Sequence, residues 1–255
     1  MRSRGAEGAF DLLICDCDGV IVDSEIICER VLASHLRRAY PGRDVAAGLA
    51  GSFGLQTPAI LDRLVAHLGE PLPVGFFERL DRELEEALHR EAEAISGVHE
   101  ALERIELPVA VASNSSEAWV RLCLARAGLL DRVDGRIFTA DHVPNPKPAP
   151  DVFLLAAQQS GVEPARCLAI EDSETGLAAA LAAGMPVIGF VGASHIPRDH
   201  GNRLMALGAR QVVEHMARLP AAVMSLHRGG AAPSAGTQPA QASPPPATTA
   251  SNRAP

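Results

Sequence analysis

A short apolar run, Leu12-Leu13-Ile14-Cys15, passes directly into Asp16-Cys17-Asp18-Gly19. A run of this kind reads as a buried strand, so both carboxylates should emerge together at its C-terminal end. In open parallel α/β sheets, ligands bind just outside those strand ends. Two acids held there repel each other unless a cation lies between them or one keeps a proton. A hard divalent ion such as Mg²⁺, which takes carboxylate oxygens together with substrate phosphate, suits such a pair. The alternative is a turn in which Asp and Gly merely end the strand. A calcium loop fits worse, because Val20 and Ile21 stand where its third ligand and turn glycine belong.

The rest of the chain divides by pattern. Residues 24–94 read as helices with little strand character. Ser24 is a plausible N-cap for a helix from Glu25 to Ala39, Thr57-Pro58 opens a second through Leu68, and a third spans about Gly75 to Ala92. From Gly97 onward, helices alternate with short strands at 108–112, 137–139, 167–170 and 187–191. That alternation implies an α/β fold with parallel strands joined by right-handed crossovers. The expected organisation is a core of residues 9–23 and 95–226, a helical insert at 24–94 lying over the strand ends as a lid, and a tail at 227–255. The tail is rich in Ala, Pro, Ser and Thr, too poor in large apolar residues to order itself.

Composition narrows the function classes. With 47% hydrophobic residues the chain can bury a sizeable core, and a formal net charge of -8 with no basic run points away from nucleic acid and membrane surfaces. The uncharged stretch from Gly176 to Ala193 is broken by Gly184-Met185-Pro186, which favours an Ala-rich helix leading into a strand over a membrane span. Cys15, Cys17, Cys28, Cys123 and Cys167 form no C-x-x-C pair and read as reduced thiols of a cytoplasmic protein. No secretory apolar core follows Met1, and no protein partner is implied. The histidines show no ligand spacing and read as surface or satisfied loop positions, and Trp119 and Tyr40 carry no signal of their own.

Three further polar clusters recur behind later strands. Ser113-Asn114-Ser115-Ser116 follows the strand ending at Ala112 and precedes a helix, where hydroxyls and free N–H groups can hold an anion or simply cap the helix. Lys147, in Asn145-Pro146-Lys147-Pro148, is the only lysine of the chain, a compact charge suited to a phosphate or carboxylate. Glu171-Asp172-Ser173 follows the strand ending at Ile170 and supplies further oxygen ligands for a metal already held by the first strand's acids. All of these clusters converge on one sheet edge.

With these motifs in order, the chain resembles the haloacid dehalogenase-like hydrolase superfamily over about residues 9–226. The resemblance is carried by the run from Asp16 to Glu25, by Ser113-Asn114, by Lys147, and by the run from Glu171 to Gly176. It implies a Rossmann-like core with a helical cap and Mg²⁺-dependent phosphatase chemistry on a small phosphorylated metabolite. Asp16 would be the nucleophile and Asp18 the general acid/base. Ser113, Asn114 and Lys147 would hold the phosphoryl group. Asp16, the backbone carbonyl of Asp18, and Asp172 would bind the metal, with Glu171 a ligand or close neighbour. Within the superfamily the chain is similar to the β-phosphoglucomutase-like and sugar-phosphate phosphatase subfamily. The run from Val22 to Cys28 is similar to the start of the 6-phosphogluconate phosphatase type. The rival reading is a phosphosugar mutase, weakened by Cys28 where mutases carry a histidine and by the absence of a basic residue from Gly51 to Gln56. A module that binds metal and phosphate without turnover is the third. Ser52, Gln56 and Thr57 are candidates for contacts to sugar hydroxyls.

Overall fold

Residues 9–49, 57–133 and 135–229 are described by a computed structural model of the chain. The element order is β1 (Leu12–Cys15), α1 (Glu25–Ala39), α2 (Val45–Leu49), α3 (Thr57–Leu68), α4 (Phe76–Glu91), α5 (Val98–Glu103), β2 (Val109–Ser113), α6 (Glu117–Arg126), α7 (Leu130–Val133), β3 (Ile137–Thr139), α8 (Asp151–Gln159), β4 (Cys167–Glu171), α9 (Glu174–Ala182), β5 (Val187–Phe190), α10 (His200–Leu207), β6 (Gln211–Val213) and α11 (Leu219–Gly229). The six strands form one parallel sheet in the order β3-β2-β1-β4-β5-β6. The chain therefore builds outward from β1 in one direction, then returns and builds outward in the other. β1 lies at the reversal, where a ligand crevice opens.

Both faces of the sheet are covered, and the period of two along each strand sorts its residues between two cores. Leu13, Cys15, Val109, Val111, Leu168 and Ile170 point into one. Leu12, Ile14, Ala110, Ala112 and Ala169 point into the other, against Ala156, Ala157, Ala179 and Ala180 of α8 and α9. Small residues on that side bring these helices close to the sheet. β6, α10 and α11 extend the core beyond the strands read from sequence, and α2 and α7 are short turns of helix with no clear apolar period. α11 continues to Gly229, into the first residues of the stretch assigned to the tail, and the His227 carbonyl and Nδ1 accept from the N–H groups of Ala9 and Phe10.

The first four helices have a separate core, including Ile27, Val31, Leu36, Leu61, Leu64, Phe76 and Leu80. The chain enters and leaves this helical unit through paired segments: Val22 bridges Ala94 antiparallel, Asp23 N–H donates to Glu93, and Ile95 N–H donates to Ile21. Ser24 is the N-cap of α1 by position, and its carbonyl accepts from the N–H groups of Ile27 and Cys28. Ser24 has helical backbone angles, φ -93 and ψ -30, and its side chain makes no cap hydrogen bond. The hydroxyl instead donates to Asp18 Oδ1. Ser52 and Gln56 lie outside the described residues, as does the side chain of Thr57.

Candidate active site

Strand register brings the polar clusters to one level. Cys15 pairs with Val111 on one side and with Ile170 on the other. Asp16 and Glu171 therefore each stand one residue past that level, and Ser113 two. Gly19 and Gly176 permit the close packing behind them. A Cβ on Gly19, whose φ is +78, would fall 1.8 Å from Asp172 Oδ2, and one on Gly176 would fall 2.1 Å from the Glu171 carboxyl atoms.

Lys147 lies at the centre. Its ammonium donates to Asp16 Oδ1 at 2.9 Å, to the Ala112 carbonyl at 2.8 Å and to Glu171 Oε1 at 2.5 Å. It also lies 4.9 Å from the centre of the Phe153 ring. The loop that carries it is clamped by Asn114, whose carboxamide donates to the Lys147 carbonyl at 3.1 Å and accepts from the Lys147 N–H at 2.8 Å. Asn114 thus holds the lysine loop, and it also lines the cavity beside Ser113 and Lys147. Glu171 accepts from Lys147 on one oxygen and from Ser173 Oγ, at 3.3 Å, on the other. Ser173 also caps α9 by accepting from Gly176 N–H.

Asp18 is held apart from this network. Oδ1 accepts from Ser24 Oγ at 2.5 Å and from the Trp119 indole N–H at 2.9 Å; Oδ2 accepts from Ser115 Oγ at 2.7 Å and, weakly, from Ser113 Oγ at 3.5 Å. Trp119 was not singled out from sequence. It sits in the first turn of α6, one turn past the cap Ser116, and packs against both the sheet core and the helical core. A lone tryptophan one turn into a helix that starts at a strand end is the signal that could have found it.

Burial dominates the electrostatics. It raises Asp16 to about 7, with Lys147 opposing and Glu171 and Asp18 reinforcing the rise. Asp172 is raised to about 6, again first by burial, with His195 opposing. Glu171 is raised by burial against the pull of Lys147. Burial pushes Lys147 down, but Asp16 and Glu171 outweigh it and hold the ammonium above the usual lysine range. Asp16, Glu171 and Asp172 each bring a carboxylate oxygen within 4.8 Å of the others, all buried. An all-oxygen set that repels itself is chemically fitted to a hard divalent cation such as Mg²⁺.

The reading of every histidine as a surface or satisfied loop residue is corrected here. The His195 ring is buried, with Nε2 3.6 Å from Asp172 Oδ2 and Nδ1 4.0 Å from Asp23 Oδ1. His200 is buried too, and its Nε2 donates to the Asp172 carbonyl at 2.6 Å. Both follow β5, so the strand-end rule that located the acids would have located His195.

A cavity of about 580 Å³ opens over these residues, reaching from Asp16, Asp18 and Lys147 to helices α1, α3 and α4. The haloacid dehalogenase-like hydrolase family model matches residues 10–184, and the chain belongs to that family. It is 35% identical over 193 residues to the fructose-1-phosphate phosphatase YqaB of Escherichia coli (strain K12), covering 69% of this chain and 94% of that protein. It is 27% identical over 187 residues to the 6-phosphogluconate phosphatase of the same organism, covering 73% and 85%. A solved haloacid dehalogenase-family hydrolase from Deinococcus radiodurans R1, with bound phosphate and sodium, superposes with a TM-score of 0.71 at 33% identity, over 85% of this chain and 96% of that one. Among the described residues no helix is long and apolar enough to cross a membrane.

Proposed function

We propose that the chain hydrolyses small phosphate monoesters of the sugar-phosphate class, with Mg²⁺, through an aspartyl-phosphate on Asp16. That it is a phosphoric monoester hydrolase of the haloacid dehalogenase type follows from its family and its phosphatase-named relatives. The observation that carries the mechanism is the buried Lys147–Asp16 contact on the cavity floor, with Asp18 two residues further on.

The residues divide the work. Asp16, Asp172 and the Asp18 carbonyl would hold the metal, with Glu171 beside them; bound Mg²⁺ supplies charge neutralisation for the phosphoryl oxygens. Lys147 and Ser113 neutralise and orient the same group. An Asp16 oxygen attacks phosphorus while Asp18 gives its proton to the departing alkoxide. Asp18 then takes a proton from the water that attacks the aspartyl-phosphate, which releases phosphate and regenerates Asp16. A group performing both transfers typically contributes ~10²–10⁴-fold. The hydroxyl and indole donors around Asp18 aim it for both steps. Cys28 lines the cavity where the resemblance places a mutase histidine, which weighs against transfer of the phosphoryl group to a second sugar.

The test is p-nitrophenyl phosphate turnover with Mg²⁺. EDTA should stop it, and Asp16→Asn should abolish it; full turnover by Asp16→Asn would remove Asp16 as nucleophile.

A further inference from the structure

The far wall of the cavity carries its own chemical statement. α1 presents Glu25, Cys28, Glu29 and Leu32 to the space, positions separated by three and four residues and therefore on one helical face. α4 presents Asp81, Leu84 and Leu88 by the same rule. Among the described residues lining the cavity, Lys147 is the only Lys or Arg, and it is already bonded to Asp16 and Glu171. The helical unit does contain arginines, but Arg30, Arg38 and Arg43 pair with Glu91, Glu83 and Glu70 instead of lining the cavity. The sequence from Ala50 to Gln56 adds no charge of either sign. Glu29 and Asp81 are exposed carboxylates at the rim, while Glu25 is half-buried nearer the floor, where burial pushes its carboxyl up to about 8, so the rim pair carries the selection.

We infer that this wall selects phosphate monoesters whose alcohol part carries no second anionic group, a neutral polyol or an amine-bearing one, and rejects those ending in a carboxylate or another phosphate. The inference rests on the phosphatase reading above. With the phosphoryl group on the floor beside Lys147, the alcohol projects toward the rim acids Glu29 and Asp81. A carboxylate at its far end would meet like charge, with no Lys or Arg other than Lys147 among the described lining residues to offset it. A hydroxyl would find carboxylate acceptors, an ammonium would find opposite charge, and the carbon skeleton would find Leu32, Leu84 and Ile60. Exposed acids are screened by salt, so discrimination of about tenfold or more in kcat/KM is the expected scale. 6-Phosphogluconate, the example drawn from the resemblance, falls on the disfavoured side.

A matched pair of substrates tests this. Sorbitol 6-phosphate and 6-phosphogluconate share six carbons and their stereochemistry and differ only in CH₂OH against COO⁻ at the far end. The wild-type enzyme should favour sorbitol 6-phosphate by about tenfold or more in kcat/KM, with the ratio shrinking as salt rises. The exposed double variant Glu29→Gln/Asp81→Asn should narrow the ratio several-fold, by improving 6-phosphogluconate. Glucosamine 6-phosphate should be used at least as well as glucose 6-phosphate. Equal or better use of 6-phosphogluconate by wild type, or an unchanged ratio in the double variant, overturns the inference. p-Nitrophenyl phosphate separates the two layers: if it is hydrolysed while 6-phosphogluconate is preferred, only the selection falls. If neither it nor any sugar phosphate is turned over with Mg²⁺, the phosphatase reading falls and takes the selection with it.

Discussion

The cavity has two walls built by different rules. On the sheet side, the polar groups of the site have defined partners: Lys147 with Asp16 and Glu171, Asp18 with three serines and an indole, His200 with the Asp172 carbonyl. On the helical side, leucines stand at helical spacing beside acids whose charges look into the open space. The first wall gathers groups from the ends of paired strands, from the clamped loop of Lys147 and from the first turn of α6, each held by hydrogen bonds to the others. The second belongs to a unit with its own core, joined to the sheet through two short paired segments. The proposed bond-making falls on the wall whose groups hold one another. Selection sits where a face of helices can vary without disturbing it.

The largest effect that would break this contrast lies on the sheet wall. Lys147→Met leaves Asp16 and Glu171 buried without their cation. Turnover should fall by ~10²–10³-fold, and stability by about 3 kcal/mol, the usual scale when one partner of a buried pair is removed. Activity assays and chemical denaturation read both losses. A stable, active variant would mean that the pairing is ornamental.

Trp119→Phe gives a smaller and sharper test, because the ring that packs between the two cores is largely kept while the donor to Asp18 is lost. We expect kcat to fall ~10-fold through misdirected proton transfer, with KM little changed. If KM rises and kcat holds, Trp119 belongs to the selective wall instead.

The smallest effect is electrostatic. In metal-free protein, burial raises Asp16 to about 7, Asp172 to about 6 and Glu25 to about 8. The folded chain then keeps protons that the unfolded chain, titrating at about 4, has released. The stability linked to those protons is complete below about pH 4 and is lost as pH rises to about 8. Thermal unfolding of EDTA-treated protein should therefore shift down between about pH 5 and 8, and Mg²⁺ should lessen the shift. A midpoint that climbs over that range would show that the acids are not crowded as described.

Much of the sheet wall was readable in the chain before folding. Apolar runs ending in Asp16-Cys17-Asp18-Gly19, Ser113-Asn114 and Glu171-Asp172 declare strand ends, and parallel strands in register leave those ends little choice but to meet. What went unread came from side chains that reach across elements. Ser24 caps its helix by position, yet the Asp18 carboxylate takes its hydroxyl. Trp119 and His195 approach from a helix turn and a loop, where no periodicity marks them. Asn114 also clamps the Lys147 loop, a contact that its place in the motif does not announce. The helical wall was legible as helices, but its face toward the cavity depends on how the unit leans over the sheet.

The claim on which the rest depends is that Asp16 carries the phosphoryl group between the two chemical steps. Borohydride reduction of enzyme quenched during turnover, followed by peptide mapping, reads this directly, since an acyl phosphate is reduced where a free carboxylate is not. Reduction of the side chain at position 16 to homoserine, dependent on both substrate and Mg²⁺, is the predicted result. An intact Asp16 in enzyme quenched under steady turnover, with the reduced carbon found at another acid or at none, would contradict it.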